Sequence, residues 1–180
     1  AGGGAITLQT GHNDSSTTYR GALSGSGGLT KIGTGTLTLS GEQITVTRTT
    51  TATGAVTATY VSSTSNTYTG DTTLLGGSHN PTSGSVTQTN AGGLKLDFNS
   101  TAIAPATSGT NTYTYTITAP IADIISASSR LVLGGGKLTV AGRNTATGTE
   151  AVSQTFNGTY LLAGRSYVTV TQGTANADTV

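Results

Sequence analysis

The chain has 180 residues, a net charge of +1 and only 8% charged residues, about a third of the usual charged share of a globular domain. Its eight Lys and Arg are spread thinly, so they make no basic stripe for nucleic acid or an anionic membrane surface, and no apolar run reaches the length of a membrane span. Disordered chains combine low hydrophobicity with high net charge, whereas 33% of these residues are hydrophobic and alternate with Thr.

In chain order, "AITLQT" predicts a first strand, followed by the polar loop "GHNDSSTT" and a second short strand near Tyr19. "GGLTKIGTGTLTLSG" (27–41) comes next. Strand side chains alternate, so Leu37 and Leu39 point one way and Thr36 and Thr38 the other. Gly33 and Gly35 mark tight turns or close backbone approach. "ITVTRTTTATGAVTATYV" (44–61) alternates more strictly and predicts a β-hairpin turning near Thr53-Gly54. "NTYTGDTTLLGG" returns to the short style, and Pro81 with its Asn and Ser neighbours marks a loop. "GGLKLDF" (92–98) predicts another strand. "TNTYTYTITAPI" (110–121) places Tyr113, Tyr115 and Ile117 on one face. "ADIISASS" reads as an irregular corner rather than a helical turn. "RLVLGGGKLTVAG" and "TFNGTYLLAGRSYVTVTQG" repeat the opening device.

A strand of four or five residues ends in glycine, turns and restarts. Thr, Val, Ile, Leu and Tyr dominate between the 27 glycines, which favours strands. The expected fold is all-β: a parallel β-helix, or β-solenoid, with an inserted β-hairpin near residues 44–61. In such a stack each coil lies about 4.8 Å from the last, with Leu and Val in inner columns and Thr and Ser outside. No coil can bury its apolar side alone, so neighbours supply the stability. At roughly 20 to 30 residues per repeat, about six to eight coils are expected, within one module spanning 1–180.

"GGLTKIGTGTLTLSG" followed by "NTYTGDTTLLGG" resembles the autotransporter-associated β-strand repeat, also called the passenger-associated transport repeat. The first half of the motif falls on Gly27, Gly28, Leu29, Thr30 and Lys31, then on 35–41. The second falls on 66–70, then Thr72 and Thr73. The family places these halves almost together, whereas Glu42 to Ser65 intervene here, an insert expected to project from a coil. "SSRLVLGGGKLTVAG" and "SQTFNGTYLLAG" are similar to segments that follow such repeats in very large bacterial surface proteins. Together the likenesses cover about half of the chain. The resemblance implies a secreted or surface-displayed parallel β-helix of Gram-negative-type bacteria, built as a stalk or passenger, with no catalytic residues.

The residues themselves give enzymatic chemistry little to work with. His12 and His79 lie in separate polar loops, no G-x-S-x-G elbow occurs, and the absence of Cys removes thiolate metal sites and disulfides. The seven carboxylates, Asp14, Glu42, Asp71, Asp97, Asp123, Glu150 and Asp178, follow one another at intervals of 28, 29, 26, 26, 27 and 28 residues. A column of one acid per coil is one reading. Thin scattering of like charges, which repel at strand spacing, is the other. No catalytic, metal or cofactor residue is assigned, and a non-enzyme without cofactors is expected.

The expected function is a non-catalytic extracellular structural module at or beyond the bacterial outer surface. It would build a stalk or filament from coil stacking and from contacts with copies of itself, head to tail or lateral. Neither "AGGGAITLQ" nor "YVTVTQGTANADTV" reads as a cap. The chain is therefore expected either to continue a longer passenger or to stack end to end, with Ile6, Leu8, Val168 and Val170 as contacts. The alternative is an adhesin that binds surface glycans through Tyr60, Tyr113 and Tyr115, which read equally as packing residues.

Overall fold

The computed structural model describes residues 4–50, 57–63, 65–76, 81–82, 85–86, 92–99, 105–118, 120–145 and 148–173. Among them there is no helix. The strands are β1 (Leu8–Thr10), β2 (Thr17–Tyr19), β3 (Leu29–Ile32), β4 (Thr36–Ser40), β5 (Gln43–Thr50), β6 (Thr57–Ser63), β7 (Thr72–Leu75), β8 (Pro81–Thr82) and β9 (Ser85–Val86). They continue with β10 (Gly93–Asp97), β11 (Ala106–Ser108), β12 (Asn111–Thr118), β13 (Leu131–Leu133), β14 (Gly136–Ala141), β15 (Arg143–Thr145), β16 (Gly148–Glu150), β17 (Thr159–Leu161) and β18 (Ser166–Thr171).

Two five-stranded sheets, parallel throughout, carry the fold. The first has the order β1-β3-β7-β13-β17 and the second β2-β4-β10-β14-β18. The chain passes from the first sheet to the second five times and returns four times. A third line of backbone contacts joins the return segments: Thr67 N–H donates to the Leu23 carbonyl at 2.8 Å, Gly70 to Gly27 at 3.0 Å, Ser126 to Asn66 at 2.8 Å and Asn157 to Ser129 at 2.9 Å. Purely parallel sheets need both faces covered or a buried inner face, and here the inner faces of both sheets meet in one core.

Register explains that core. In the second sheet Leu37, Leu94 and Leu138 are Cα partners, as are Leu39, Leu96 and Val140. All but the partly buried Val140 are buried, together with Leu29, Leu74, Leu131, Leu133, Phe98, Ile124 and Ile125. Leu37 and Leu39 do point inward while Thr36 and Thr38 are partly exposed. Burying one such aliphatic side chain contributes about 1.5–3 kcal/mol, and each column shares the gain between neighbouring strands. Lys31 breaks the aliphatic pattern in the first sheet. Its stem is buried, and its ammonium turns back to the carbonyls of Ile32 and Gly33. Burial lowers its pKa, partly offset by the charge of Asp14.

Glycine stands where adjacent passes of the backbone touch. A Cβ on Gly92 would lie 1.7 Å from the Gly33 carbonyl oxygen, and one on Gly28 would lie 2.5 Å from that of Asp71. The Gly-Gly-Leu openings therefore mark the line of closest stacking.

Polar side chains pin the return segments. The buried Asn66 accepts from Leu23 N–H at 3.0 Å and donates through Nδ2 to the Ile124 carbonyl at 3.1 Å, so one amide ties three successive passes. Gln154 repeats the device against both backbone groups of Ile125. Inside, the Tyr68 hydroxyl meets Thr72 Oγ1 at 2.6 Å, Thr72 Oγ1 meets Ser129 Oγ at 2.8 Å, and Ser129 donates to the Gly70 carbonyl at 2.7 Å. Burial pushes the Tyr68 phenol up from 10.0 to about 12, against the pull of its two hydroxyl partners.

The expected hairpin exists as β5 paired antiparallel with β6, from Gln43↔Ser63 to Thr49↔Thr57; its turn at Thr53-Gly54 lies outside the described residues. It is not the only insert. β11 and β12 form a second hairpin and β15 and β16 a third, and β8 and β9 make a short fourth pair where the sequence around Pro81 reads as a loop. Each of the first three follows a strand of the second sheet, whereas the fourth follows β7 of the first. β12 also pairs with β5 along eight residues, which joins two inserts into a four-stranded antiparallel sheet, β11-β12-β5-β6. These inserts correct the expected six to eight coils to five passes. The column positions Leu8, Leu29, Thr72, Leu131 and Thr159 are 21, 43, 59 and 28 residues apart, because inserts of unequal length consume the chain. The corner at "ADIISASS" is irregular, with parallel bridges at Ala122 and Ile125.

Candidate functional site at the open sheet edges

Both parallel sheets end in the same two places. β1 and β2 form one outer edge, β17 and β18 the other. A parallel edge strand leaves every second backbone N–H and C=O without a strand partner, and proteins normally cover or blunt such edges. Here those edges carry exposed apolar side chains among their polar ones, Leu8 and Tyr19 at one and Leu161, Val168 and Val170 at the other.

The exposed apolar residues occupy the same columns as the core. Val168 is the Cα partner of Leu138, and Val170 that of Val140. Leu138 is 2% exposed, whereas Val168 is 58% and Val170 74% exposed. Leu161 continues the column of Leu133 and Leu74 and is 72% exposed. At the opposite end Leu8 is the partner of buried Leu29 and is 49% exposed, and Ile6, 83% exposed, lies against Gly27. All four residues expected from the sequence, Ile6, Leu8, Val168 and Val170, thus sit at the ends, with their side chains open to solvent.

Each end opens into the core. At the β1–β2 end a hollow of about 220 Å³ has Leu29, Leu37 and Leu39 as its floor and Leu8, Thr10 and Thr17 on its rim. Thr10 and Thr17 hold column positions that Leu74, Leu133, Leu94 and Leu138 fill elsewhere, so the first pass contributes less aliphatic volume. At the β17–β18 end a hollow of about 410 Å³ is lined by Val140, Val152, Val170 and Thr171 among others.

Sequence reasoning missed Leu161 and Leu162, and it reads Tyr19, Tyr160 and Tyr167 as strip or packing aromatics rather than end residues; all five are exposed at these ends. The signal was present: "TTLLGG" and "TYLLAG" place Leu74 and Leu161 at the same point of the repeat. On the outer face Arg130 holds Asp71 through two hydrogen bonds, of 3.2 and 2.7 Å, and lies 5.8 Å over the Tyr160 ring; Arg165 covers Tyr167 at 5.2 Å.

The three expected glycan-contact tyrosines come together in the antiparallel sheet. Tyr113 and Tyr115 are half-buried on β12, in register with Arg48 and Val46 of β5, and Tyr60 of β6 is also the Cα partner of Val46. Arg48 Nε is buried without a hydrogen-bond partner.

The carboxylates do not assemble. Asp14 accepts from Thr34 N–H and Asp123 from Thr155 N–H, each at 2.7 Å, both from a left-handed backbone that Asp tolerates. Glu42 is paired with Arg20 at 3.3 Å. Asp97 is paired with Lys95 at 2.7 Å; burial works against its charge, but the hydrogen bonds from Lys95 and Asn99 win and hold its carboxyl below the usual range. Among the described residues no group of three or more His, Asp or Glu is placed to hold a metal. Among the described residues the evenly spaced acids therefore make no cluster, each being bonded to a different neighbour. His12 donates to Gln9 at 3.0 Å on the surface. His79, Asp178 and the Glu150 side chain lie outside what is described. Among the described residues no helix is long and apolar enough to cross a membrane.

Comparison with family models, curated proteins and solved structures returns no match.

Proposed function

We propose that the chain is a non-catalytic extracellular structural module: a β-solenoid, with hairpin inserts, that builds a surface stalk or filament by stacking of its windings and end-to-end self-association. The observation that carries this reading is the continuity of the core columns into solvent at both ends, Leu29 to Leu8 on one side and Leu138 to Val168 on the other. A rod whose cross-section is the same at every level gains by lengthening, since each added layer buries the apolar column of the last. Within each main sheet all strands run parallel, so one end of the sheet complements the other and head-to-tail contact does not close on itself. The likeness of residues 27–41 to passenger repeats supports the same reading and the extracellular setting, as does the absence of cysteine. The carboxylates serve the scaffold, each described one bonded to a neighbouring backbone or cation.

Electron microscopy of the purified chain over a wide concentration range tests this. Rods that lengthen with concentration are expected; strictly monomeric particles at every concentration would refute end-to-end assembly.

A second reading is favoured by the placing of Tyr113, Tyr115 and Arg48 on one face of the antiparallel sheet. Aromatic rings beside a guanidinium suit a glycan. Saturable binding on a glycan array, lost in Tyr113→Ala with Tyr115→Ala, would make this module an adhesin.

A further inference from the structure

We propose that the β17–β18 edge of one copy docks on the β1–β2 edge of a second copy in a single register, with Leu161 and Val168 entering the hollow beside Thr10 and Thr17. This rests on the structural reading above and names its contact. In the first sheet the register puts Thr159 against Leu8, Tyr160 against Gln9 and Leu161 against Thr10. In the second it puts Val168 against Thr17, Thr169 against Thr18 and Val170 against Tyr19.

Three observations lead to it. The first is that both sheets reach the same answer separately. The column Leu8–Leu29–Thr72–Leu131–Thr159 returns to its start if Thr159 meets the next Leu8, and Thr17–Leu37–Leu94–Leu138–Val168 does so if Val168 meets the next Thr17. A slip of one residue in either sheet would turn every inward side chain outward, and two sheets must be satisfied at once.

The second is shape. The β1–β2 end is hollow where Thr10 and Thr17 replace the leucines of later passes. The β17–β18 end has its own hollow beside Val140 and Val170, and next to it presents Leu161 and Val168, both more than half exposed, in those same two columns. Two copies meeting by their β1–β2 ends would set hollow against hollow, which leaves the floor of Leu29, Leu37 and Leu39 uncovered.

The third is polarity. Parallel pairing of β17 with β1 repeats the hydrogen-bond pattern already made by β13 with β17 and by β1 with β3. A symmetric contact of one edge with itself would need antiparallel pairing, foreign to both sheets.

The chain has no cysteine, which makes disulfide trapping clean. Thr18 and Thr169 face outward in one column, and neighbouring strands lie about 4.8 Å apart, within the roughly 4.4–6.8 Å that a disulfide spans between Cα atoms. The variant Thr18→Cys with Thr169→Cys is oxidised mildly and run without reductant, beside Thr18→Cys with Thr171→Cys and Thr18→Cys alone. A ladder of multimers from the first alone is expected. An equal ladder from the off-register pair, a dimer from the single variant, or no cross-link while filaments are seen by electron microscopy would each overturn this register and leave the filament reading standing. Monomers only, by microscopy as well, would overturn both.

Val168→Glu adds a readout that spares the fold, because Val168 is exposed in the lone chain. It should raise the concentration needed for assembly about tenfold or more, since docking would bury an unpaired carboxylate. Ile121→Glu, an exposed apolar site on none of the four edge strands, should assemble as the parent does. Equal assembly of Val168→Glu and parent would overturn the proposal.

Discussion

Val170 and Leu39 stand in one inward column of the second sheet, joined through Val140 and Leu96, yet Leu39 is fully buried and Val170 is 74% exposed. The two side chains have the same role in the repeat and differ in whether a further layer covers them. Leu39→Ala should cost about 2–5 kcal/mol, the transfer loss plus the cavity left behind. Val170→Ala should change stability by no more than about 0.5 kcal/mol, as at an ordinary surface site. Urea unfolding of both variants, at concentrations below any assembly, checks this. Equal costs would mean that the end is already closed in the lone chain.

Asn66 makes a sharper case for the third side. Its amide oxygen accepts from Leu23 N–H and its amide nitrogen donates to the Ile124 carbonyl. Asn66→Ala leaves the Leu23 N–H short of its partner, at about 1–3 kcal/mol, while the Ile124 carbonyl keeps the backbone N–H of residue 66 at 3.0 Å. Asn66→Asp keeps the shape but sets a carboxylate oxygen against the Ile124 carbonyl, so it should be worse than Ala. That order, measured by thermal unfolding near pH 7, distinguishes a hydrogen-bond role from simple space filling.

How much of this was legible beforehand differs by element. The inward leucines of "TLTLS" and "LKLDF" were readable because period-two alternation in a half-buried strand leaves only one assignment of faces. The first hairpin was readable from its strict alternation around Thr53-Gly54. The pairing of β12 with β5 was not, since Thr47↔Thr114 and Arg48↔Tyr113 are separated by an entire pass of the chain and Thr-rich strands specify register weakly. The exposed end residues Ile6, Leu8, Val168 and Val170 came from position in the sequence, whereas Leu161 needed knowledge of which column it continues. The even spacing of acids does not bring the described ones together, since Asp14, Glu42, Asp71, Asp97 and Asp123 each bond a different neighbour.

Gly92 tests the close stacking of successive passes. A methyl group there would meet the Gly33 carbonyl oxygen at 1.7 Å, so the backbone must shift. Gly92→Ala should destabilise by several kcal/mol or prevent folding, well beyond the ~1 kcal/mol typical of point substitutions. Gly4→Ala, where nothing lies within 4 Å, should be neutral. Circular dichroism and soluble yield of the two variants give the comparison.

Tyr68 ties stability to alkaline pH. Its phenol is buried between Thr72 and the aliphatic core, and burial raises its pKa from 10.0 to about 12. The neutral form is the one the fold accepts. Its contribution is therefore whole below pH 10 and is lost as the pH climbs from 10 toward 12. A rise of that size corresponds to about 2–3 kcal/mol by linkage. Tyr68→Phe should cost about 1 kcal/mol near neutrality for the missing hydrogen bond to Thr72, while Thr72 and Ser129 keep theirs. Between pH 10 and 12 the parent should lose stability faster than the Phe variant, and the two curves should converge or cross. Lys31 titrates in the opposite sense: its lowered pKa makes stability rise with pH up to the ordinary lysine value, because the unfolded chain binds the proton more tightly. That term is common to both proteins and cancels in the difference. Melting temperatures of the pair at matched pH values provide the readout, and parallel curves through this window would show that the Tyr68 hydroxyl is not held neutral by the core.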